Sequence, residues 1–417
     1  MNKKICVVGL GYIGLPTAAM LANCGYDVVG VDTNKEVLDN LNKGKIIIEE
    51  PYLDDLVKKV VINKKLIGLN TPCEADIFII AVPTPINENK RADMRYVINA
   101  TNSIVSYVKK GDIVILESTS PVGTTTEIIK PILEKTDLEI GKDIYVGYCP
   151  ERVLPGKILK ELVENHRVVG GINEESAIKI AKIYKSFVKG HIYTTDTKTA
   201  EMTKLVENTF RDVNIALSNE LLKICDNINI NVWDVIEYSN KHPRVNLLNP
   251  GPGVGGHCLA VDPWFLVESS PNLSNIIKLS RITNDSMPSY MFYSVEKLIK
   301  NTNKKITILG ITYKPDVDDI RESPIIELIK ILKENNYEIS IYDPYVKNYP
   351  GIENNLMKCV QGSELLIIGV NHNVFKDINY EKVLKAMEGN LILDTRNSLD
   401  KEELEKIGFV YKLIGSK

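Results

Sequence analysis

The 417-residue chain contains no CxxC pair, and its seven cysteines (Cys6, Cys24, Cys73, Cys149, Cys225, Cys258 and Cys359) are odd in number. That argues against a disulfide framework and against a zinc site, and suits a reducing cytoplasm. Excess charge of either sign is missing as well: 51 Lys plus Arg against 54 Asp plus Glu leave a net charge of −3. With no basic cluster, there is no general attraction to nucleic acid or to an acidic membrane surface. Long uncharged runs are scarce. Only residues 5–26 approach membrane length, and that stretch holds Gly9, Gly11, Gly14, Pro16 and Gly25. A buried strand, a glycine turn and a buried helix explain it better than a signal peptide or a spanning helix. No tandem repeat is visible. The apolar content of 44% supports large cores, and about 150 residues per domain gives roughly 2.8 domains.

Strand candidates at 4–8, 27–31, 66–69, 76–82, 112–117 and 143–148 alternate with helical patterns such as 96–108 and 125–134. This series predicts a parallel sheet with helices on both faces. Pieces at 167–169 and 191–194 flank a helical stretch at 174–188. From 197 to 239 helical periodicity dominates, a Gly/Pro/Asn-rich loop follows at 242–263, and helices return from 275. After residue 301 the alternation restarts, with strands at 305–309, 338–342, 365–369 and 390–394 and a helix at 323–335. The expected fold is α/β: two Rossmann-like doubly wound domains, 1–196 and 301–417, joined by a central helical region, 197–300, with a long helix.

Gly9-Leu10-Gly11-Tyr12-Ile13-Gly14 follows the first strand and opens a helix. The glycines permit a tight turn and close approach of a pyrophosphate to the helix N-terminus. Asp32 ends the second strand, where a carboxylate would hold ribose hydroxyls and repel a 2′-phosphate, so NAD is favoured over NADP. The strand ends carrying Pro83-Thr84 and Thr119 also suit a cofactor edge; a plain strand-to-loop turn fits each of them as well.

Residues 249–262, with Gly251, Gly253, Gly255 and Gly256 ahead of His257, Cys258 and Asp262, form the most unusual segment. Small residues let a ligand approach, and a thiol there is a candidate nucleophile. A flexible linker with an incidental cysteine fits the spacing equally. Cys6, Cys24 and Cys225, in apolar runs, read as small buried hydrophobes. Glu201, Lys204, Asn208 and Arg211 share one helix face, which suits either a polyhydroxyl or phosphate-bearing ligand or plain solvent.

Together these pieces resemble the nucleotide-sugar 6-dehydrogenase family over nearly the whole chain. The resemblance rests on the glycine motif, Ser118 to Thr124, Pro150-Glu151-Arg152, Lys204 with Asn208, the Cys258 loop, Thr312 to Asp316 with Arg321, and Asp394-Thr395-Arg396. It implies an N-terminal NAD domain, a central dimerisation region and a C-terminal UDP-sugar domain. It also implies a four-electron oxidation of the sugar C6 alcohol to a carboxylate with two NAD+, through a thiohemiacetal and a thioester on Cys258. By the same resemblance, Lys204 and Asn208 stabilise the C6 oxyanion, Asp262 moves a proton or orients water, and Glu151 and Thr119 handle that water. Gly9, Gly11, Tyr12, Ile13, Gly14, Asp32, Pro83, Thr84, Thr119 and Arg321 fall to the cofactor. Glu151, Arg152, Val153, Lys204, Asn208, Arg211, His242, Arg244, Gly255, Lys314 and Arg396 fall to the UDP-sugar. Arg244 would reach a neighbouring subunit's substrate in a homodimer or homotetramer.

Two departures narrow the substrate. Pro155 stands where UDP-glucose enzymes of the family carry a second glutamate, and Ala260-Val261 stand where they carry Pro-Lys. Both are similar to the branch acting on acetamido sugars, and residues 208–216 resemble its form acting on UDP-N-acetyl-D-mannosamine, with Arg211 reaching the sugar. UDP-N-acetylglucosamine and UDP-glucose remain rival substrates. A single-step alcohol dehydrogenase and a non-catalytic nucleotide-sugar or NAD-binding regulator are alternatives that would need no Cys258.

Overall fold

The structure, a computed structural model, describes residues 3–48, 50–154, 156–299 and 304–416. Pro155 and the boundary expected at 300/301 lie outside the described residues. The chain divides into two compact units, Met1–Glu207 and Asn208–Lys417.

Among the described residues, the first unit holds an eight-stranded sheet: β1 (Lys4–Val8), β2 (Asp27–Val31), β3 (Leu66–Leu69), β4 (Ile77–Ile80), β5 (Ile113–Leu116), β6 (Tyr145–Tyr148), β7 (Arg167–Gly171) and β8 (Ile192–Asp196). Its order is β3-β2-β1-β4-β5-β6-β7-β8. All neighbours are parallel except β6 and β7. The pleat explains the apolar runs. Ile5 and Val7 of β1 enter one core with Leu15 and Ala18 of α1 (Gly14–Asn23), while Cys6 and Val8 enter the core on the other face. A strand covered on both faces has no position for a polar side chain. The uncharged 5–26 stretch is thus β1, a glycine turn and α1, and no described helix is long and apolar enough to cross a membrane.

The 32-residue helix α2 (Thr197–Ile228) contains the division between the units. In the second unit follow α3 (Val232–Ser239), α4 (Asp262–Ser269), α5 (Asn275–Asp285) and α6 (Met287–Leu298). A five-stranded parallel sheet, order β10-β9-β11-β12-β13, is built from β9 (Lys305–Leu309), β10 (Glu338–Tyr342), β11 (Leu365–Ile368), β12 (Leu391–Asp394) and β13 (Val410–Leu413). Leu222 of α2, Met287 and Met291 of α6 and Ile325 of α7 (Pro324–Glu334) pack on the face of that sheet bearing Ile306 and Ile308. Each such side chain, fully buried, contributes about 1.5–3 kcal/mol.

The two sheets share more than architecture. Gly9 (φ 97°) donates its N–H to Val31, and Gly310 (φ 86°) donates to Tyr342, at 2.8 and 2.9 Å. The next amides, Leu10 and Ile311, donate to Asp32 and Asp343 at 2.9 and 2.8 Å. Each aspartate also accepts from the amide two residues on, Asn34 or Tyr345. The absence of a sequence repeat therefore hides a repeated turn. The environments of the two acids differ. Asp32 is half-buried, whereas Asp343 is fully buried and bonded by His372 Nε2 at 3.1 Å. Burial pushes the Asp343 pKa up, but the bonds from His372 and Ile311 more than offset that, and it ends below the usual carboxylate range.

Candidate functional site

The glycine turn of the first unit separates packing glycines from one that faces open space. A Cβ on Gly14 would stand 1.9 Å from the Gly9 carbonyl oxygen, and one on Gly9 would stand 2.5 Å from the Ala81 oxygen. These two let β1, α1 and the end of β4 approach each other. A Cβ on Gly11 would meet nothing within 4 Å. The space beside Gly11 is therefore open, and a Cβ there would take room that a ligand at the helix N-terminus could use. The helix that Tyr12 and Ile13 lead into has no side-chain cap and no acid in its first turn, so nothing in the helix itself neutralises its N-terminal dipole. Asp32 keeps a half-buried carboxylate at the end of β2 while its oxygens accept from Leu10 and Asn34. These residues fit a dinucleotide.

Two neighbouring strand ends are stitched together. Thr84 Oγ1 donates to the Thr119 carbonyl at 2.6 Å, and Ser118 Oγ donates to Val82 at 2.7 Å. Pro83 is exposed beside them. Thr84 and Thr119, expected at the cofactor edge, are thus brought together.

Glu151 follows β6, is buried, and accepts from the Arg152 amide at 2.7 Å. Its other oxygen lies 3.5 Å from Arg167, which also faces Glu117 at 3.6 Å. Tyr184 and Phe187 stack on that guanidinium at 4.7 and 5.5 Å. Burial raises the Glu117 carboxyl to about 8, against the pull of Arg167. Sequence reasoning missed Arg167 and Glu117 as a buried ion cluster; a charged residue at each of two strand ends was the available signal. Arg152 pairs with Glu207 and donates to the His166 carbonyl at 3.2 Å. Val153 packs on the core.

The shared face on α2 resolves residue by residue. Glu201 is fully buried and accepts from the amides of Gly123 and Thr125, at 2.6 and 2.9 Å, and from Thr125 Oγ1 at 2.7 Å. It ties down the loop after β5, so neither a ligand nor solvent takes it. Lys204 is half-buried.

In the second unit, buried Asn208 donates from Nδ2 to Asp262, while Arg211 donates to Asn208 Oδ1. This chain of three leads to the start of α4, where the amides of Val261 and Asp262 both bond the Cys258 carbonyl, at 3.1 and 2.8 Å. Cys258 is exposed. The glycines before it are required chiefly by the protein itself. A Cβ on Gly255 would stand 2.5 Å from the Glu322 oxygen, and Gly256 (φ 80°) donates to the Arg321 carbonyl at 3.0 Å. The loop therefore lies against the segment that carries Tyr313, half-buried Lys314 and Arg321, whose guanidinium pairs with Asp319 at 2.6 Å.

A Cβ on Gly251 would stand 2.7 Å from Arg396. Arg396 is half-buried; burial draws its pKa down to about 10, against Asp394. It lines a polar cleft of about 540 Å³ with Trp233, Asp234, Asn240, Lys241 and Asn249. His242 and Arg244 are exposed, 3.5 Å apart through their side-chain nitrogens.

No disulfide joins any of the seven cysteines. Cys6 and Cys225 are buried as expected, but Cys24 is exposed, because it caps α1 beyond the last turn that faces the core.

A glycine cradle followed by a carboxylate one strand later, at the carboxyl edge of a doubly wound sheet, defines a dinucleotide-binding protein of the dehydrogenase kind. The chain belongs to the UDP-glucose/GDP-mannose dehydrogenase family: its NAD binding domain matches residues 3–188, its central domain 198–286 and its UDP binding domain 307–401. A relative from Methanococcus maripaludis, described as a UDP-N-acetyl-D-mannosamine dehydrogenase, is 49% identical over 99% of this chain and 97% of its own. The solved UDP-D-ManNAc dehydrogenase of Pyrococcus horikoshii superposes with a TM-score of 0.93 at 41% identity, over 99% of both chains. A UDP-N-acetyl-mannosamine dehydrogenase structure from Staphylococcus aureus gives 0.91 at 45%, also over 99% of both.

Proposed function

We propose that the chain oxidises the C6 hydroxyl of UDP-N-acetyl-D-mannosamine to the carboxylate, giving UDP-N-acetyl-D-mannosaminuronate, with two NAD+ reduced per sugar. The observation that carries this reading is the Cys258 loop, which presents an exposed thiol on a glycine-built turn held against the Lys314 segment. The substrate rests on likeness to relatives named for it, together with Ala260-Val261 and the 208–216 segment.

Gly9, Gly11, Gly14 and Asp32 would hold NAD+, which would supply the acceptor for a hydride from C6, while Asp262 takes the hydroxyl proton, leaving the C6 aldehyde. Thr84, Pro83 and Thr119 border the same edge, and Arg321 is assigned to the cofactor too. The Cys258 thiolate adds to the C6 aldehyde carbonyl, forming an S–C bond and an oxyanion that Lys204 and Asn208 stabilise. Collapse of the oxyanion expels a second hydride, for which a second NAD+ would be the acceptor, and leaves a thioester. Water, handled by Glu151, Thr119 and Asp262, adds to its carbonyl, the C–S bond breaks and the thiolate is released. Arg152, Val153, Arg211, His242, Gly255, Lys314 and Arg396 hold the UDP-sugar. The working division is 1–196, 197–300 and 301–417, and the setting is the cytoplasm.

Stoichiometry tests the route. NADH formation should reach two per sugar consumed, measured in parallel with UDP-N-acetylmannosamine, UDP-N-acetylglucosamine, UDP-glucose and GDP-mannose. A yield of one, or preference for another sugar, overturns the reaction or the substrate respectively.

A homodimer completes the reading, with Arg244 reaching the partner's substrate. Helix α5 supports it by an inverted pattern: it buries Ser280, Arg281 and Asn284 but exposes Ile276, Leu279 and Ile282, with Leu273 just before it. On α2, Phe210, Leu217, Ile224 and Ile228 are exposed as well. Exposed apolar side chains in this number support a protein interface. The double substitution Ile276→Asp, Leu279→Asp should halve the mass seen by light scattering; an unchanged dimer would remove this surface from the contact.

A further inference from the structure

The inward face of α5 raises its own question. Asp212, Asn219, Arg281 and Asn284 are all at most 1% exposed, yet all are polar or charged. Arg281 Nη1 donates to Asp212 Oδ1 at 2.5 Å, and Asn284 Nδ2 donates to the same oxygen at 2.8 Å. Asn219 Nδ2 donates to Asn284 Oδ1 at 2.9 Å. For stability alone, well-packed apolar residues would serve as well as a buried ion pair. What apolar residues cannot do is bind backbone.

The cluster binds backbone at both ends of one loop. Asn219 Oδ1 accepts from the Gly251 amide at 2.9 Å. Arg281 Nη1 donates to the carbonyl of Leu259, the residue after Cys258, at 3.4 Å. Between these anchors the backbone passes through Gly253 (φ 130°) and Gly256 (φ 80°), positions with little conformational preference of their own. A Cβ on Gly253 would stand 3.1 Å from the Asn284 carbonyl oxygen, so the middle of the loop lies against the cluster as well.

We infer that Asp212, Asn219, Arg281 and Asn284 are positioning residues that fix the Cys258 loop from beneath. They touch neither reacting atoms nor substrate; they set where the thiol sits. The inference rests on the reading of Cys258 as nucleophile.

Arg281→Lys keeps a cation opposite Asp212 but loses the rigid guanidinium whose Nη1 serves Asp212 and the Leu259 carbonyl together while Nη2 pairs with Asp285. Its kcat should fall on the order of 10- to 100-fold, the scale of a small misplacement of a reacting group. The KM for NAD+, set chiefly by the glycine turn and Asp32 of the other unit, should move far less than kcat. Iodoacetamide labelling, followed peptide by peptide, should show a changed rate at Cys258 relative to exposed Cys24, an internal standard. Asn219→Ala, which leaves the ion pair intact, should act in the same way and carries the test if Arg281→Lys does not fold. In the parent protein, the Gly251 amide should exchange slowly with deuterium. Parental kcat with parental labelling in a folded variant, or fast exchange at Gly251, overturns the inference. Cys258→Ala separates the two readings: full turnover there sinks the nucleophile, whereas an inactive Cys258→Ala beside an unimpaired Arg281→Lys sinks only the positioning.

Discussion

Replacing Cys258 with serine should lower uronate formation by at least about 10³-fold, as expected when a covalent nucleophile is lost. The thiolate is the reacting species, and a serine hydroxyl ionises far less readily. Three of the other thiols are unsuited to take its place. Burial raises Cys6 and Cys149 to about 12 and Cys359 to about 11, so they stay protonated at neutral pH. The check is chromatographic measurement of uronate together with the intact mass of the protein after exposure to substrate and NAD+. An ester at position 258 would show the hydroxyl acting slowly in place of the thiol. Parental turnover in Cys258→Ser would remove covalent catalysis from the mechanism.

The second large effect separates two glycines that sequence alone treats alike. Gly14→Ala should destabilise the first unit by at least about 3 kcal/mol, the upper range for forcing atoms into a packed interior. The clash, 1.9 Å from the Gly9 oxygen, is with backbone and cannot be relieved by a rotamer change. Gly11→Val should leave the thermal midpoint unchanged, since nothing in the protein lies within 4 Å of the new Cβ. It should instead weaken NAD+ on the order of 100-fold by filling the space where backbone and pyrophosphate meet. Denaturant unfolding and cofactor titration measure the two. If Gly11→Val binds NAD+ normally, the cradle is misassigned; if Gly14→Ala is as stable as the parent, the glycine turn yields more than its contacts imply.

The sequence was most legible where strands are covered on both faces. The bounds of β1, β2, β3, β9 and β10 agree with the apolar runs that predict them. Strands expected at 76–82, 112–117 and 143–148 come out shorter because Asp76, Asp112, Glu117 and Asp143 lie beyond the ladder. Strand β13 escaped notice because it is an edge strand of four residues, with Val410 and Lys412 exposed. The helix read at 125–134 begins as a wider π-type turn over Thr125–Ile129, where Glu201 holds Thr125. The glycine turn and the Cys258 loop stood out because each is a single local run of residues. The Asp212–Arg281 pair was not: a charged residue is read as surface by default, and its partner is 69 residues away.

The repeated turn bears on timing. The chain builds the strand–glycine–acid device twice but leaves the acid accessible once: His372 seals Asp343, while Asp32 stays half-buried. Among the described residues the device then offers one open acid, and in the proposed four-electron oxidation that one cradle would have to empty and refill midway through every turnover. The half-oxidised sugar would have to wait out that exchange. On the proposal that Cys258 is the nucleophile, a carbon–sulfur bond would tether the sugar through the interval, and turnover would then follow the rate at which cofactor is exchanged.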